Sequence, residues 1–526
     1  MRAYDRFMPA LLPLSAPWRT RLVTCAAALA AALLPTTGQA QPVAPAPRLA
    51  APDTSLPDAV RLALAQAGVP AEAVSVGVWP ADGGPATVAH QLGTVRQAAS
   101  LMKLFTTGVA LQKLGPAWNW RTEAGLDGSL GADGRLRGTL HVRGQGDPSL
   151  VVERLDGWLA RWRAAGLTAI EGDIVIDRQA FDVPFHDPAA FDGQALKPYN
   201  AGPDALLLAH RAVTVRLRPD AARPGWALAD VFPPLDGVML NAAIPLRDGP
   251  CGDWRQGLAL AVAPTRPQAG LPPPVGATTG PDWQVTLQGP YPAACGEREW
   301  PLLWPTADDH TARLLASRWR QAGGVLLGRV REGAWPTGLP AWQGWSSPPL
   351  GEVVRDINKF SNNVMARQLF LALGSDADGR ARLSTARAAV GDWVRLATRD
   401  AGDAAGPCDG QALTLDNGSG LSRQERSSAA CLGRWLQAVW ASAVMPEFVA
   451  SLPVAGVDGT TRRLKGAQGS AHLKTGSLDG VAGIAGVVHG PDGRRWVLVF
   501  MVNHPRAEGA RPAFDALLSA VRATGG

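Results

Sequence analysis

Between about Thr122 and Trp345 the chain changes texture, and this break constrains the fold more than any other feature. Inside it, short apolar runs are cut by Gly, Pro and Asp, as in GTLHVRGQGDPSL, IEGDIVIDRQAF and VTVRLRP. Such runs predict short strands joined by turns. Before the break, VSVGVW (Val74 to Trp79) alternates apolar and small residues, Ala81 to Gly84 supplies a turn, and Thr87 to Gln91 can return as a hairpin. SLMKLFTTGVALQKLGP then places Leu101, Leu104, Phe105, Leu111 and Leu114 at helical spacing, with Gly115-Pro116 as a stop. After the break, helical texture returns in FSNNVMARQLFLALG and LSTARAAVGDWVRLA. HLKTGSLDGVAGIAGVV, a Pro491-Asp492-Gly493 turn and RRWVLVFMVN read as a strand pair. A final helix carries Phe514, Leu517, Leu518 and Val521 on one face. Without a basic cluster on its polar face, that helix is expected to pack in a core rather than anchor to a membrane. The order is hairpin, helix, β-rich stretch, helices, hairpin, helix: an α/β sheet domain interrupted by a second unit.

A chain of 526 residues suggests two to four domains on a prior of ~150 residues each. With 46% hydrophobic and 18% charged residues it can bury a substantial core. The net charge of +6 is scattered, mostly on Arg, and no Lys/Arg run of the kind that tracks phosphates occurs. Nucleic acid is therefore not an expected partner; an anionic substrate or matrix is. Arg19 and Arg21 precede an apolar run from Leu22 to Leu34, followed by Pro35 and Gly38-Gln39-Ala40. That run is too short to span a bilayer and reads as a secretory signal over residues 1–40, cleaved near Ala40. Cys25 does not read as a lipid-anchor site, since its apolar run follows it. Export to an oxidising compartment suits the remaining Cys251, Cys295, Cys408 and Cys431. Of three possible pairings, Cys251–Cys295 with Cys408–Cys431 is favoured because each pair lies within one expected domain. The eight His are dispersed and neither C-x-x-C nor H-E-x-x-H occurs, so no metal or other cofactor is expected.

Three short stretches could carry chemistry. Ser100 and Lys103 share a helical face, so the amine can reach the hydroxyl. Solvent-exposed decoration is the alternative, but Lys103 is one of only six Lys and the only one with a Ser three residues before it. Its apolar neighbours suit a desolvated amine that could serve as base. In KFSNNVMARQLF, Ser361 and Asn363 can be presented side by side, though Ser-Asn-Asn is also a good helix cap. In HLKTGS, Lys474 and Thr475 can meet a substrate carboxylate, Gly476 admits close approach, and the N–H of Ser477 can face an oxyanion. The alternative there is an edge strand bearing a protective Lys.

S-x-x-K, S-x-N and K-T-G in that order form the signature of penicillin-recognising serine enzymes. With LGPAWNWRTE, GQGDPSL, IEGDIVIDRQAFD, KPYNAGPDALLL and NGSGLSR, the chain resembles the class C low-molecular-mass penicillin-binding proteins. These are D-alanyl-D-alanine carboxypeptidases/endopeptidases, and the similarity covers nearly all of the expected mature chain. The 261 residues from Ser100 to Ser361 match the resemblance, in which two nested β-rich domains fill that interval. The resemblance implies a transpeptidase-like domain at 41–125 and 346–526, an antiparallel sheet flanked by helices. It also implies an insertion at 126–345 whose inner part is about 147–217. Ser100 would be the nucleophile, Lys103 its base, and Ser361 a proton relay. Asn363 would bind the stem-peptide backbone of peptidoglycan. Lys474 would keep Lys103 neutral and, with Thr475, hold the substrate carboxylate. The N–H groups of Ser100 and Ser477 would form the oxyanion hole, and β-lactams would acylate Ser100. The implied location is periplasmic, with at most peripheral membrane association. Two departures stand out: Ser477 replaces a Thr frequent after K-T-G, and His210-Arg211 replaces Asn-rich sequence. Asp416 and Ser419 in NGSGLSR read as turn chemistry. The competing functions are a β-lactamase or esterase of the same fold and a non-catalytic peptidoglycan-binding protein. The long insertion and the lack of a clear deacylating Glu motif weigh against the first, and three intact motifs against the second.

Overall fold

RRWVLVFMVN is apolar at nearly every position because it becomes the middle of a sheet covered on both faces. In the computed structural model, which describes residues 56–265, 282–376, 378–400 and 405–524, this stretch is the strand Arg495–Asn503. The expected signal segment, 1–40, lies outside the described residues. We label five strands in chain order: β1 (Val74–Pro80), β2 (Val88–His90), β3 (Ala471–Leu478), β4 (Val481–His489) and β5 (Arg495–Asn503). They form one antiparallel sheet in the order β2-β1-β5-β4-β3. HLKTGSLDGVAGIAGVV is thus two strands rather than one, turning at Asp479-Gly480, where Gly480 has φ 72°.

Five helices matter for the site: α1 (Asp58–Ala67), α2 (Lys103–Leu114), α3 (Asn363–Ala372), α4 (Ala429–Trp440) and α5 (Arg511–Thr524). Alternate residues of β5 face opposite cores. Leu498, Phe500 and Val502 pack with Val60 and Leu64 of α1 and with Phe514, Leu517, Leu518 and Val521 of α5. Val497, Val499 and Met501 face the core built from α2, α3 and α4. The last helix therefore packs in the core, as its pattern indicates.

The interruption begins at Arg121 and returns at Ser346, strands that pair with each other and close its base. Its seven-stranded sheet combines Arg121–Leu130, Arg135–Gly144, Ala169–Ile170 and Ile174–Asp177 with three strands from 325–346. A five-stranded and a three-stranded sheet, built from 212–303, lie between those two halves in sequence. From this pairing we place the inner unit at 212–303 rather than about 147–217, since residues 169–177 pair back onto Arg135–Gly144. The insertion is not purely β: helices Val152–Ala164 and Ala307–Gln321 bury Trp158, Trp162 and Trp319 in its core. Cys251–Cys295 and Cys408–Cys431 are both bonded, one in the inner unit and one in the catalytic half. At His210-Arg211, three consecutive non-glycine residues (209–211) adopt φ of 47°, 53° and 55°. The strain is held by His210 Nε2 bonded to the Pro148 carbonyl and by Arg211 donating to the Trp304 and Pro305 carbonyls.

One fully buried side chain joins the insertion to α3. The Gln368 carboxamide accepts from Asp204 N at 2.9 Å and donates to the Asp204 and Gly146 carbonyls at 2.7 and 3.1 Å. The neighbouring Arg367 donates to the Ala201 carbonyl at 2.7 Å. The helix that opens with Asn363 is therefore anchored to the insertion within two turns.

Candidate active site

Ser100 lies on a single 3-10 turn, Ala99–Met102, that runs directly into α2, whose first residue is Lys103. Ala99 has φ 47°, a conformation that costs a non-glycine residue about 1 kcal/mol and turns the chain sharply just before the serine. Lys103 is fully buried among the apolar neighbours visible in the sequence. Its Nζ has three partners: Ser100 Oγ at 2.9 Å, Asn363 Oδ1 at 2.6 Å and the Ser419 carbonyl at 2.5 Å. Two of these can only accept, whereas the serine can donate. In its neutral form the amine can satisfy both acceptors with its two hydrogens and turn its lone pair to the Ser100 hydroxyl.

Ser361 ends the helix Leu350–Phe360 in the left-handed region at φ 56°. Asn362 then caps α3, its side chain accepting from Met365 N at 3.1 Å. Capping and site chemistry are thus divided among three adjacent residues: Asn362 caps, while Ser361 and Asn363 face the lysines. Lys474, also fully buried, donates to Ser361 Oγ at 3.0 Å and to the Thr475 carbonyl at 2.7 Å. S-x-N consequently stands between the two amines, one residue bonded to each.

Burial pushes the Lys103 amine well below its usual value of 10.5; the nearby Lys474 charge adds to the fall, Glu425 opposes it, and Arg367 lowers it further. Lys474 is lowered to about 7 by burial. Desolvation is the first cause for both, so the low proton affinity of Lys103 rests on the apolar packing of α2 more than on its neighbour.

Thr475 Oγ1 bonds Thr460 Oγ1 at 2.7 Å, and Ser477 is exposed. Gly476 is required by close packing. A Cβ there would lie 2.7 Å from the Ala98 carbonyl oxygen and 3.3 Å from Ala99 Cβ, so β3 is pressed against the turn that carries Ser100. All eight residues singled out for the site, Ser100, Lys103, Ser361, Asn363, Lys474, Thr475, Gly476 and Ser477, are gathered at the junction of β3, α2 and α3.

The NGSGLSR stretch contributes more than turns. Asp416 pairs outward with Arg387, and the Ser419 side chain bonds Asn417 Oδ1 at 2.6 Å, but the Ser419 carbonyl is a direct partner of Lys103 Nζ. Glu425, two residues beyond the motif, holds this loop in place. One of its oxygens accepts from the backbone N–H groups of Asp416, Asn417 and Gly418 at 3.1, 3.0 and 2.7 Å, the other from Gly420 N at 2.6 Å. Thr106 Oγ1 of α2 donates to the Gly418 carbonyl at 2.7 Å. Burial pushes the Glu425 carboxyl up while these backbone donors pull it down. Sequence reasoning missed Glu425 because Gln424 and Arg426 beside it read as surface. Beside the loop, a cavity of ≈480 Å³ lies between Phe185, His186 and Phe191 of the insertion and Arg367, Asp416 and Arg423.

A serine hydroxyl bonded to a buried, low-affinity lysine, with a second amine–hydroxyl pair beside it at the edge strand of an antiparallel sheet, defines an acylating serine hydrolase of the penicillin-recognising fold. The chain belongs to the D-Ala-D-Ala carboxypeptidase 3 (S13) family, whose model matches residues 56–243 and 276–521. This makes it a class C low-molecular-mass penicillin-binding protein and a serine peptidase. It is 28% identical over 445 residues to a D-alanyl-D-alanine carboxypeptidase from Actinomadura sp., covering 79% of this chain and 74% of that one. To the D-alanyl-D-alanine carboxypeptidase DacB of Haemophilus influenzae it is 23% identical, over 78% of this chain and 81% of that one. The crystal structure of penicillin binding protein 4 (dacB) from Haemophilus influenzae shares its fold, with TM-score 0.66, 21% identity, and coverage of 87% and 99%. A second structure of that protein, complexed with a β-lactam, aligns with TM-score 0.64.

Proposed function

We propose that this protein is an exported, periplasmic D,D-peptidase. It would remove the terminal D-alanine of peptidoglycan stem peptides and cleave D-alanyl cross-links through an acyl-enzyme on Ser100. The observation that carries the reading is the set of partners of Lys103 Nζ: the Ser100 hydroxyl and two carbonyl acceptors. As Ser100 Oγ bonds to the substrate carbonyl carbon, its proton passes to Lys103. The developing oxyanion faces the backbone N–H groups of Ser100 and Ser477. When the tetrahedral intermediate collapses, the peptide C–N bond breaks and the departing amine takes the proton that Lys103 gained, passed by way of Ser361, which Lys474 orients at 3.0 Å. Water then attacks the ester and gives a proton to Lys103, which passes it to Ser100 Oγ as the bond to the acyl carbon breaks. Lys474 and Thr475 hold the terminal carboxylate. Asn363 Oδ1 is committed to Lys103, so its amide N–H₂ is the group left to bind the peptide backbone. The cavity flanked by Arg367 and Arg423 gives the non-reacting part of the stem peptide a place to lie.

β-Lactams present a strained amide and a carboxylate to the same groups, and the β-lactam complex of the Haemophilus influenzae protein supports acylation of Ser100 by them. The test is labelling of the protein with a fluorescent penicillin beside Ser100→Ala, with D-alanine release and cross-link cleavage followed by mass spectrometry. Undiminished labelling of Ser100→Ala would overturn the mechanism. Labelling without turnover of any muropeptide would leave a binding protein.

A further inference from the structure

The scattered positive charge of this chain gathers at one place outside the catalytic site. Arg462, Arg463 and Lys465, from the segment before β3, and Arg511, the first residue of α5, line one open groove of ≈860 Å³. All four are exposed. No ion pair to an acidic side chain is found for any of them among the described residues. The one carboxylate on the groove wall, Asp515, has an oxygen occupied by the backbone N–H groups of Lys465 and Gly466, at 2.7 and 3.0 Å. The groove thus presents four solvated cations against one carboxylate already in use. Three of the four stand together at 462–465, and the fold brings Arg511 to them from 46 residues beyond Lys465.

The groove is joined to the site. Its basic wall starts two residues after Thr460, whose hydroxyl bonds Thr475 beside Lys474. β3 is the edge strand of the sheet, the segment before it bridges that edge at Val454 and His472, and the groove lies between this segment and α5. A concave groove rimmed by cations fits an extended anionic chain, whereas a flat bilayer calls for a convex surface with apolar side chains to insert.

We propose that this groove is a docking surface for a non-reacting, carboxylate-bearing strand of the peptidoglycan polymer, held between α5 and the segment before β3 while another peptide of the polymer reacts at Ser100. The inference rests on the proposed peptidoglycan substrate. It divides recognition in two: the site selects the D-alanyl terminus, and the groove concentrates the enzyme on polymer over free peptide. Contacts of this exposed kind are screened by salt within ~8 Å at physiological ionic strength, so the docking weakens steeply as salt rises.

The test compares the full chain with an Arg462→Glu, Lys465→Glu, Arg511→Glu variant, both also carrying Ser100→Ala so that binding is read apart from hydrolysis. Co-sedimentation with purified peptidoglycan sacculi at low salt is expected to fall about tenfold, the combined effect of three lost exposed ion pairs. With Ser100 restored, fluorescent-penicillin acylation and hydrolysis of a soluble stem peptide are expected to match the unaltered protein, while turnover of sacculi drops. Sacculus binding that ignores the charge reversal overturns the proposal. So does charge-dependent binding to phosphatidylglycerol vesicles without binding to sacculi. Loss of soluble-peptide hydrolysis in the unaltered protein, with charge-dependent sacculus binding intact, would refute the proposed reaction and leave the groove standing.

Discussion

Gly420→Ala tests whether the NGSGLSR loop fixes the nucleophile. Gly420 has φ +80°, and a Cβ there would sit 1.9 Å from the Ala99 carbonyl oxygen and 2.7 Å from Ser100 N. Real Cβ contacts essentially never fall below 3.0 Å, so the loop or the Ser100 turn has to separate by at least 3.0 − 1.9 = 1.1 Å. A shift of ~1 Å in reacting groups costs on the order of a hundredfold in rate. The same shift pulls the Ser419 carbonyl away from Lys103 and Gly420 N away from Glu425. The left-handed backbone adds about 1–3 kcal/mol of destabilisation. Gly469→Ala separates the two effects, since Gly469 has φ +70° with nothing within 4 Å of an added Cβ. The second-order rate of acylation by a fluorescent penicillin is expected to fall about a hundredfold in Gly420→Ala and to stay within about threefold in Gly469→Ala. Both variants should lose a few degrees of melting temperature. If Gly420→Ala acylates at the rate of the unaltered protein, the loop does not position Ser100 and the close approach has no catalytic meaning.

Glu425→Gln replaces one acceptor oxygen by an amide that cannot accept from a backbone N–H, which should cost about 2 kcal/mol. Because the carboxylate raises the Lys103 pKa, its loss should also move the acid limb of the acylation rate to lower pH; a fall in rate with an unmoved limb would make Glu425 purely structural. Lys474, at about 7, is charged below that pH and neutral above it, so kcat/KM for a peptide with a free terminal carboxylate should fall as pH rises through 7. An ester-blocked analogue should not show that fall, and equal profiles would remove Lys474 from carboxylate binding. Asp147 is raised by burial from 3.8 to about 6, so the folded state holds an extra proton between those values. Stability is therefore expected to decline as pH rises from about 4 to 6, by about 3 kcal/mol at neutrality. Asp147→Asn should abolish this decline in urea denaturation at pH 4 to 7 while keeping the bond from Ser149 N; a decline that persists in the variant would place its source elsewhere.

What was legible follows the range of the forces involved. The texture break at 122 and the helix stop at Gly115 are local, because turn residues and apolar spacing act over a few positions. The nesting of the insertion is not local: strands at 169–177 pair with 135–144 before them and with 325–332 after them, which no window of sequence displays. The helix Val152–Ala164 was readable in principle, since Leu155, Trp158, Leu159 and Trp162 recur at helical spacing. Its three Arg and central Gly157 mask that face amid strand-like neighbours. In the site, S-x-x-K, S-x-N and K-T-G were legible because the chemistry demands particular side chains. Backbone partners were not, since any residue supplies a carbonyl: Ser419 could be singled out only once Glu425 gathers four N–H groups and turns that carbonyl on Lys103. The same logic revises the role of the second amine. A base kept neutral chiefly by burial keeps that property when Lys474 binds a carboxylate and its charge is offset, so substrate binding need not re-protonate the base it depends on. Had charge repulsion between the two lysines been the main cause, each substrate carboxylate would partly disarm Lys103. In the proposed mechanism, burial of Lys103 at the start of α2 would let one amine bind the anion while the other takes the proton.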